Sequence, residues 1–352
     1  MCVLKKMCTV VRIEESIALF IVATFFFVNS VFFSELIDPK GVLGLMVQYF
    51  SFGSPFFFYF FLVIYVVFIG KFIYALALAI VESITRLRLP TPSELRHLLS
   101  IALLPVRTLA PLALVPLFGY MLLTNMNYLW RYTQNDVAFL MADHILTGTY
   151  FLFDLSRAIV DPGIITILFI FYVSLSEFLP MLFVVLYFRR DKQMYREALL
   201  SFMITLLVAF PFFAIFPLQD PHNYFVRNLR NNELPHSIVD AAGRFLPTDT
   251  LQGYLNTMAR SETATERDNS VPISCFPSMH AMWAMLIVYY FSRIDRRLLL
   301  VAVPWIVLLL FGGLLFGQHY LVDYIASLPG AILAVYLARM FLKKWGSLGT
   351  PY

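Results

Sequence analysis

The sequence predicts an all-α polytopic membrane protein of about eight transmembrane helices, and three observations predict it. Hydrophobic residues make up 60% of the 352 positions and charged ones only 14%, where soluble domains carry about 25%. Mean hydropathy is +0.77. Apolar runs of about 20 residues, the length a helix needs to cross the hydrocarbon, recur along the chain. The roughly ten-residue alternating segments of a transmembrane barrel do not occur in it.

In chain order, the spans are expected at 16–35, 55–80, 100–125, 164–188, 197–217, 280–293, 298–316 and 319–341. The first follows Lys5, Lys6 and Arg12, as a signal peptide would, but no A-x-A-like site comes after it, so an uncleaved helix is expected. The sixth is short and is expected to extend to either side. Between the third and fourth, DVAFLMADHILTGTYFLFDLSR (136–157) is too interrupted by charge to span. It is expected to lie in the interface, apolar residues down and Asp143, His144, Asp154 and Arg157 up. The polar segment 218–276 is the one long soluble insertion.

Basic residues set the orientation. Most of the 26 Lys and Arg fall at the N-terminus, in TRLRLPTPSELRH (85–97), FRRDKQMYRE (188–197) and SRIDRR (292–297), and in the tail with Arg339, Lys343 and Lys344. Short basic connections stay in the cytoplasm, whereas long loops translocate largely regardless of charge. Both termini are thus expected in the cytoplasm, with 218–276 outside or in a lumen. Cys2, Cys8 and Cys275 form neither a disulfide framework nor a zinc motif.

The chemistry concentrates in two stretches. SCFPSMHAMW (274–283) puts His280 at the start of an apolar run, and FGQHYLVDYIAS (316–327) carries His319 with Asp323 four residues on. Two crossings separate the histidines, so both are expected on the extracytoplasmic side, slightly below the surface and facing the bundle. Asp323 is expected to share a helix face with His319, one turn away. Ionisable groups inside a membrane are costly, which favours a functional site. One imidazole, oriented by a carboxylate on its other nitrogen, can attack phosphorus. The second can protonate the leaving alcohol, its pKa lying near operating pH. Ser278 and the amides at the helix start can hold phosphate oxygens. A structural metal would need further ligands, and His144, His222 and His236 stand at no such spacing, so neither metal nor cofactor is expected.

FPSMH (276–280) and GQHYLVD (317–323) resemble the second and third signature motifs of the type 2 phosphatidic acid phosphatase superfamily, normally P-S-G-H and S-R-x5-H-x3-D. The resemblance runs over roughly 164–342. It implies a catalytic six-helix-type core, 161–345, after an N-terminal part, 1–160, of transmembrane helices and the interfacial segment. It also implies catalytic roles for His319 as the nucleophile forming phosphohistidine, Asp323 as its orienting partner and His280 as acid–base, with no metal. The departures are specific. The first motif, K-x6-R-P, is not found, since Leu199 stands seven residues after Lys192. Gly312 and Gly313 replace S-R, and Met279 stands where glycine is usual. The pattern is more similar to the inositol phosphorylceramide synthase and sphingomyelin synthase branch, with F-P-S-L-H, H-Y-x-V-D and an F-P-x-x-P-P segment like that in AFPFFAIFPLQDP (209–221).

Phosphate still needs counter-charge, and guanidinium suits its oxygens. Candidates are Arg131, Arg157, Arg227, Arg230, Arg244, Arg260 and Arg267; Arg227 and Arg230 are favoured for their closeness to FPLQDP. Lys71 and Arg107 are expected to snorkel. The expected function is transfer of a phosphate-bearing headgroup between lipids of the bilayer. The alternative is hydrolysis of a lipid phosphate or polyprenyl (di)phosphate. A proton-coupled transporter is more remote, because His280, His319 and Asp323 sit at one depth and no inverted repeat is visible. An inactive lipid-binding relative is the third class, kept open by the missing arginines. The partners expected are bilayer lipids and not nucleic acid. The expected location is the plasma or inner membrane of a bacterium or a Golgi-type membrane of a eukaryote.

Overall fold

In the computed structural model, the described residues are 13–32, 135–149, 151–159, 161–189, 191–216, 218, 220–221 and 276–345, with scattered positions between 66 and 91. The described elements are all helical, with no strand among them. The chain divides into two units, Met1–Gly119 with Trp345–Tyr352, and Tyr120–Lys344. The first contains α1 (Ile13–Phe32), which overlaps the first expected span. Described positions from Val66 to Thr85 are helical, while the span expected at 100–125 lies outside the described residues.

The second unit carries the remaining helices. The stretch expected at the interface forms α2 (Asn135–Thr147) and α3 (Phe151–Ala158). At 13 residues α2 is about 20 Å long, too short for a hydrocarbon layer of about 30 Å. Its orientation corrects the expectation. Asp136, Leu140 and Asp143 are buried, whereas Met141, Ile145 and Leu146 are exposed. Residues 136, 139, 140 and 143 follow the helical period, so the two aspartates share a face with Phe139 and Leu140 and go inward with them. His144 and Asp154 are half-buried.

The expected span 164–188 is two helices, α4 (Pro162–Val173) and α5 (Leu175–Phe188), bent by 41° at Ser174. Asp161 caps α4 by accepting from the Ile164 amide, with Pro162 in the first turn, where its missing N–H costs nothing. At the bend the Ser174 hydroxyl donates to the Phe171 carbonyl at 2.6 Å and accepts the Trp305 indole N–H at 2.8 Å. Hydroxyl-to-carbonyl bonds of this kind bend helices. Trp305, itself buried, stacks on Phe178.

Next come α6 (Lys192–Ile215), α7 (Met279–Ile294), a 3-10 turn (Arg296–Leu298), α8 (Leu299–Leu315) and α9 (Leu321–Trp345). Among the described residues, Lys192–Phe213, Arg296–Leu315 and Leu321–Trp345 are each long and apolar enough to cross a membrane, and the bent α4–α5 pair meets the same criterion only when its two helices are taken together. The expected extension of α7 does not occur. Ser278 caps its start, and Asp295 ends it with an extended backbone. This 16-residue helix is the centre of the unit, packed against α5, α6 and α8. Its small and apolar residues, Ala281, Met282, Ala284, Leu286 and Ile287, are all fully buried.

Arg189, Arg293 and Arg339 gather at one end of the unit. Glu197 on α6 accepts from Arg293 of α7 at 2.7 Å and Arg339 of α9 at 3.1 Å. Arg189 donates to the Ile294 carbonyl. This knot closes the end of α7 opposite His280.

Candidate active site

Three chain reversals build the site. The first lies at the start of α7. The Phe276–Pro277 peptide is cis, and Ser278 follows in an extended conformation. Its Oγ accepts the Ala281 amide at 3.1 Å, which puts His280 in the first turn.

The second reversal ends α8. Gly317 has φ of 60°, a left-handed conformation that glycine adopts without steric cost. The Gln318 amide donates to the Gly313 carbonyl and the Gly317 amide to the Leu314 carbonyl, at 2.9 and 3.0 Å. That pair of bonds is a Schellman cap, and it turns the chain so that His319 emerges two residues later.

The third reversal opens α9. His319 and Tyr320 precede the helix, so the expected shared helical face is instead a turn and a first helical turn. Asp323, the third helical residue, reaches back and accepts the Tyr320 amide at 2.8 Å. The same Oδ2 lies 3.5 Å from His319 Nδ1. One carboxylate therefore starts the helix and faces the imidazole.

These reversals bring together four of the residues expected from sequence. His319 is 5% exposed, and Asp323 and Ser278 are fully buried. His319 Nε2 is 3.1 Å from Ser278 Oγ. Nδ1 thus faces Asp323 and Nε2 faces Ser278. The rings of His280 and His319 are 5.6 Å apart between centroids. His280 has an exposed surface, and its ring lies against those of Tyr172 and His319. An open imidazole beside a buried one suits an acid–base that must meet changing partners.

Several residues went unnoticed in the sequence. Ser327 Oγ bonds the Asp323 carbonyl at 2.6 Å and the Ser278 carbonyl at 3.0 Å, tying the start of α9 to that of α7. Tyr172 of α4 stacks on His280 at 5.6 Å, and the Tyr324 ring lies 5.4 Å from that of His319. Both tyrosines fill the space beside Gly313, where a Cβ would fall on the Tyr324 hydroxyl and lie 3.1 Å from Tyr172 Cε2. The glycines in place of S-R are thus a packing fact: α4 and two aromatic rings occupy the room an arginine would need.

Asp143 also reaches the site. Its Oδ2 and Oδ1 accept the amides of Leu321 and Val322 at 2.8 and 2.9 Å. Burial pushes its carboxyl up to about 6, against the pull of those two amides. The Tyr320 hydroxyl donates to Asp136 at 3.0 Å. Periodicity on α2 was the available signal, since Asp136 and Asp143 are seven residues apart on one face. Arg227 and Arg230 lie outside the described residues.

A protein-family comparison matches residues 150–337, just over half of the chain, to the PAP2 superfamily. The chain belongs to the PAP2 superfamily. Members of the superfamily are phosphatases and phosphotransferases acting on lipid phosphates, and with the apolar helices this makes the protein a membrane enzyme of that type. The match spans both histidine motifs and starts after α2. No curated protein and no solved structure matches the chain.

Proposed function

We propose that the protein is a lipid phosphotransferase that moves a phosphate-bearing headgroup between lipids through a phosphohistidine on His319. The observation that carries this is the polarised imidazole: Asp323 on one nitrogen, the Ser278 hydroxyl on the other, and a second histidine alongside.

In the first step His319 Nε2 attacks phosphorus, and the bond from phosphorus to the departing alkoxy oxygen breaks. His280 gives that oxygen its proton. Asp323 holds the Nδ1 proton and stabilises the charge the ring acquires. In the second step neutral His280 removes the proton of an acceptor alcohol. The alkoxide attacks phosphorus, the N–P bond breaks and His319 is restored. Ser278 Oγ, already beside Nε2, can turn to a phosphate oxygen once the substrate takes its place. Arg227 and Arg230 are the candidate counter-charges. Similarity of FPSMH and HYLVD to the synthase branch favours an alcohol over water as acceptor. The distribution of basic residues favours an extracytoplasmic site and cytoplasmic termini.

The test mixes purified protein, EDTA and a phosphorus-labelled lipid with candidate acceptor lipids, comparing wild type with His319→Ala. Label in a new lipid, lost in the variant, supports transfer. Release of inorganic phosphate alone makes the enzyme a phosphatase. Inertness of the wild type across a broad panel of lipid phosphates and acceptors sinks the reading.

A further inference from the structure

The start of α9 poses a capping problem that its own sequence does not solve. The first amides of a helix lack internal partners and are normally met by Ser, Thr, Asp or Asn at the N-cap. Here the N-cap position is Tyr320, whose side chain cannot do this. Asp323 supplies half of a capping box by accepting the Tyr320 amide. The other half comes from a different helix, through both carboxylate oxygens of Asp143.

We propose that Asp143 is a positioning residue for the transfer reaction: it caps α9 from α2 and fixes the turn that holds His319 against Asp323. This rests on the phosphohistidine reading of His319. Asp323 Oδ2 lies 2.8 Å from the Tyr320 amide and 3.5 Å from His319 Nδ1, so any rotation of the turn moves both contacts together. Asp136 holds the same turn through the fully buried Tyr320. Phe139, between the two aspartates, packs on Phe276 at 4.7 Å and on Tyr320 at 6.1 Å, linking α2 to both histidine motifs. A carboxylate buried to 2% exposure is costly unless its oxygens are bonded, and here both are. It also sits at the positive end of the α9 dipole. α2 lies upstream of the residues matched to the superfamily, and the amides it caps lie within them.

The test uses full-length protein in detergent with Asp143→Ala, Asp143→Asn and Tyr320→Phe. In Asp143→Ala the Leu321 and Val322 amides should exchange hydrogen about tenfold faster, with Ala331 onward unchanged. kcat should fall about tenfold or more, with KM within about twofold. Asp143→Asn, which keeps one acceptor, should recover part of both. Tyr320→Phe, with both Asp143 bonds intact, should lose less than Asp143→Ala. The rate at which diethylpyrocarbonate carbethoxylates His319 should change in parallel, because the buried imidazole is no longer held against Asp323. Unchanged exchange at Leu321 and Val322 overturns the proposal. So does faster exchange with full kcat and unchanged His319 reactivity, or a loss of activity that only follows a general fall in Tm. If Asp143→Ala does not fold, Asp143→Asn decides by the same measures. A wild type inert toward lipid phosphates removes the functional reading instead, and exchange with His319 carbethoxylation still decides whether Asp143 holds the pair.

Discussion

Replacing Gly312 with alanine forces two backbones apart. A Cβ there would lie 2.8 Å from the Leu168 carbonyl oxygen of α4 and 3.3 Å from Tyr172 Cβ. Real Cβ atoms do not approach that closely, and a main-chain oxygen cannot rotate away, so α4 must shift from α8. Overpacking costs about 1–3 kcal/mol. Alanine returns about 1 kcal/mol through helix propensity. Because the obstacle is backbone, the net is expected near 1–2 kcal/mol of destabilisation, lowering Tm by about 2–8 °C. Gly330→Ala is the control. Its nearest neighbour is Met282 Sδ, also at 2.8 Å, but this thioether ends a flexible side chain that can swing aside. That variant should be neutral or slightly stabilised. Gly313→Ala falls between, meeting only the Tyr324 and Tyr172 rings. Those rings stand against His319 and His280, so activity should fall about tenfold while most of the stability is kept. Thermal unfolding of the three variants in one detergent, with turnover measured beside it, is the assay. A Gly312→Ala protein as stable as wild type, with Gly330→Ala the weaker one, would refute the argument, which ranks the sites by what can move.

His319→Ala should abolish label transfer and covalent labelling of the protein. Asp323→Asn should cost about 10²–10⁴ in kcat, through the loss of an orienting carboxylate and of the correct imidazole tautomer, measurable by rapid quench. Ser327→Ala removes the bonds that join α9 to the Ser278 carbonyl, and about 1–2 kcal/mol of stability should go with them, read by thermal unfolding. The Asp143 carboxyl, raised to about 6, takes up its proton as pH falls through that value and then has one acceptor fewer for two amides. Activity should therefore decline on the acid side. In Asp143→Asn the acid limb should move to lower pH, since a charge near Asp323 and His319 is gone. An unmoved limb in the full pH profile counts against this.

Helix positions were legible because each is a long apolar run. The ends of α1, α6, α8 and α9 fall within a few residues of their expected places. The break at Ser174 was not: the hydroxyl that bonds back to the Phe171 carbonyl also accepts from Trp305, 131 residues away. The outward position expected for Asp143 on α2 failed for a related reason. A polar residue on an amphipathic helix points to water by default, and only the unfilled amides of α9 make the inward position favourable.

Composition and spacing alone pointed to a membrane-embedded helical protein, and to two histidines and an aspartate as the residues of one site. Those properties are local or follow from counting residues across spans of fixed length. The tertiary structure decided which imidazole nitrogen of His319 faces Asp323 and which faces Ser278, that two tyrosines fill the space beside Gly313, and that Asp143 on α2 accepts the first amides of α9. Such facts depend on contacts between residues far apart in the chain. Hydrogen bonds of about 3 Å are set by packing, which no sequence period records.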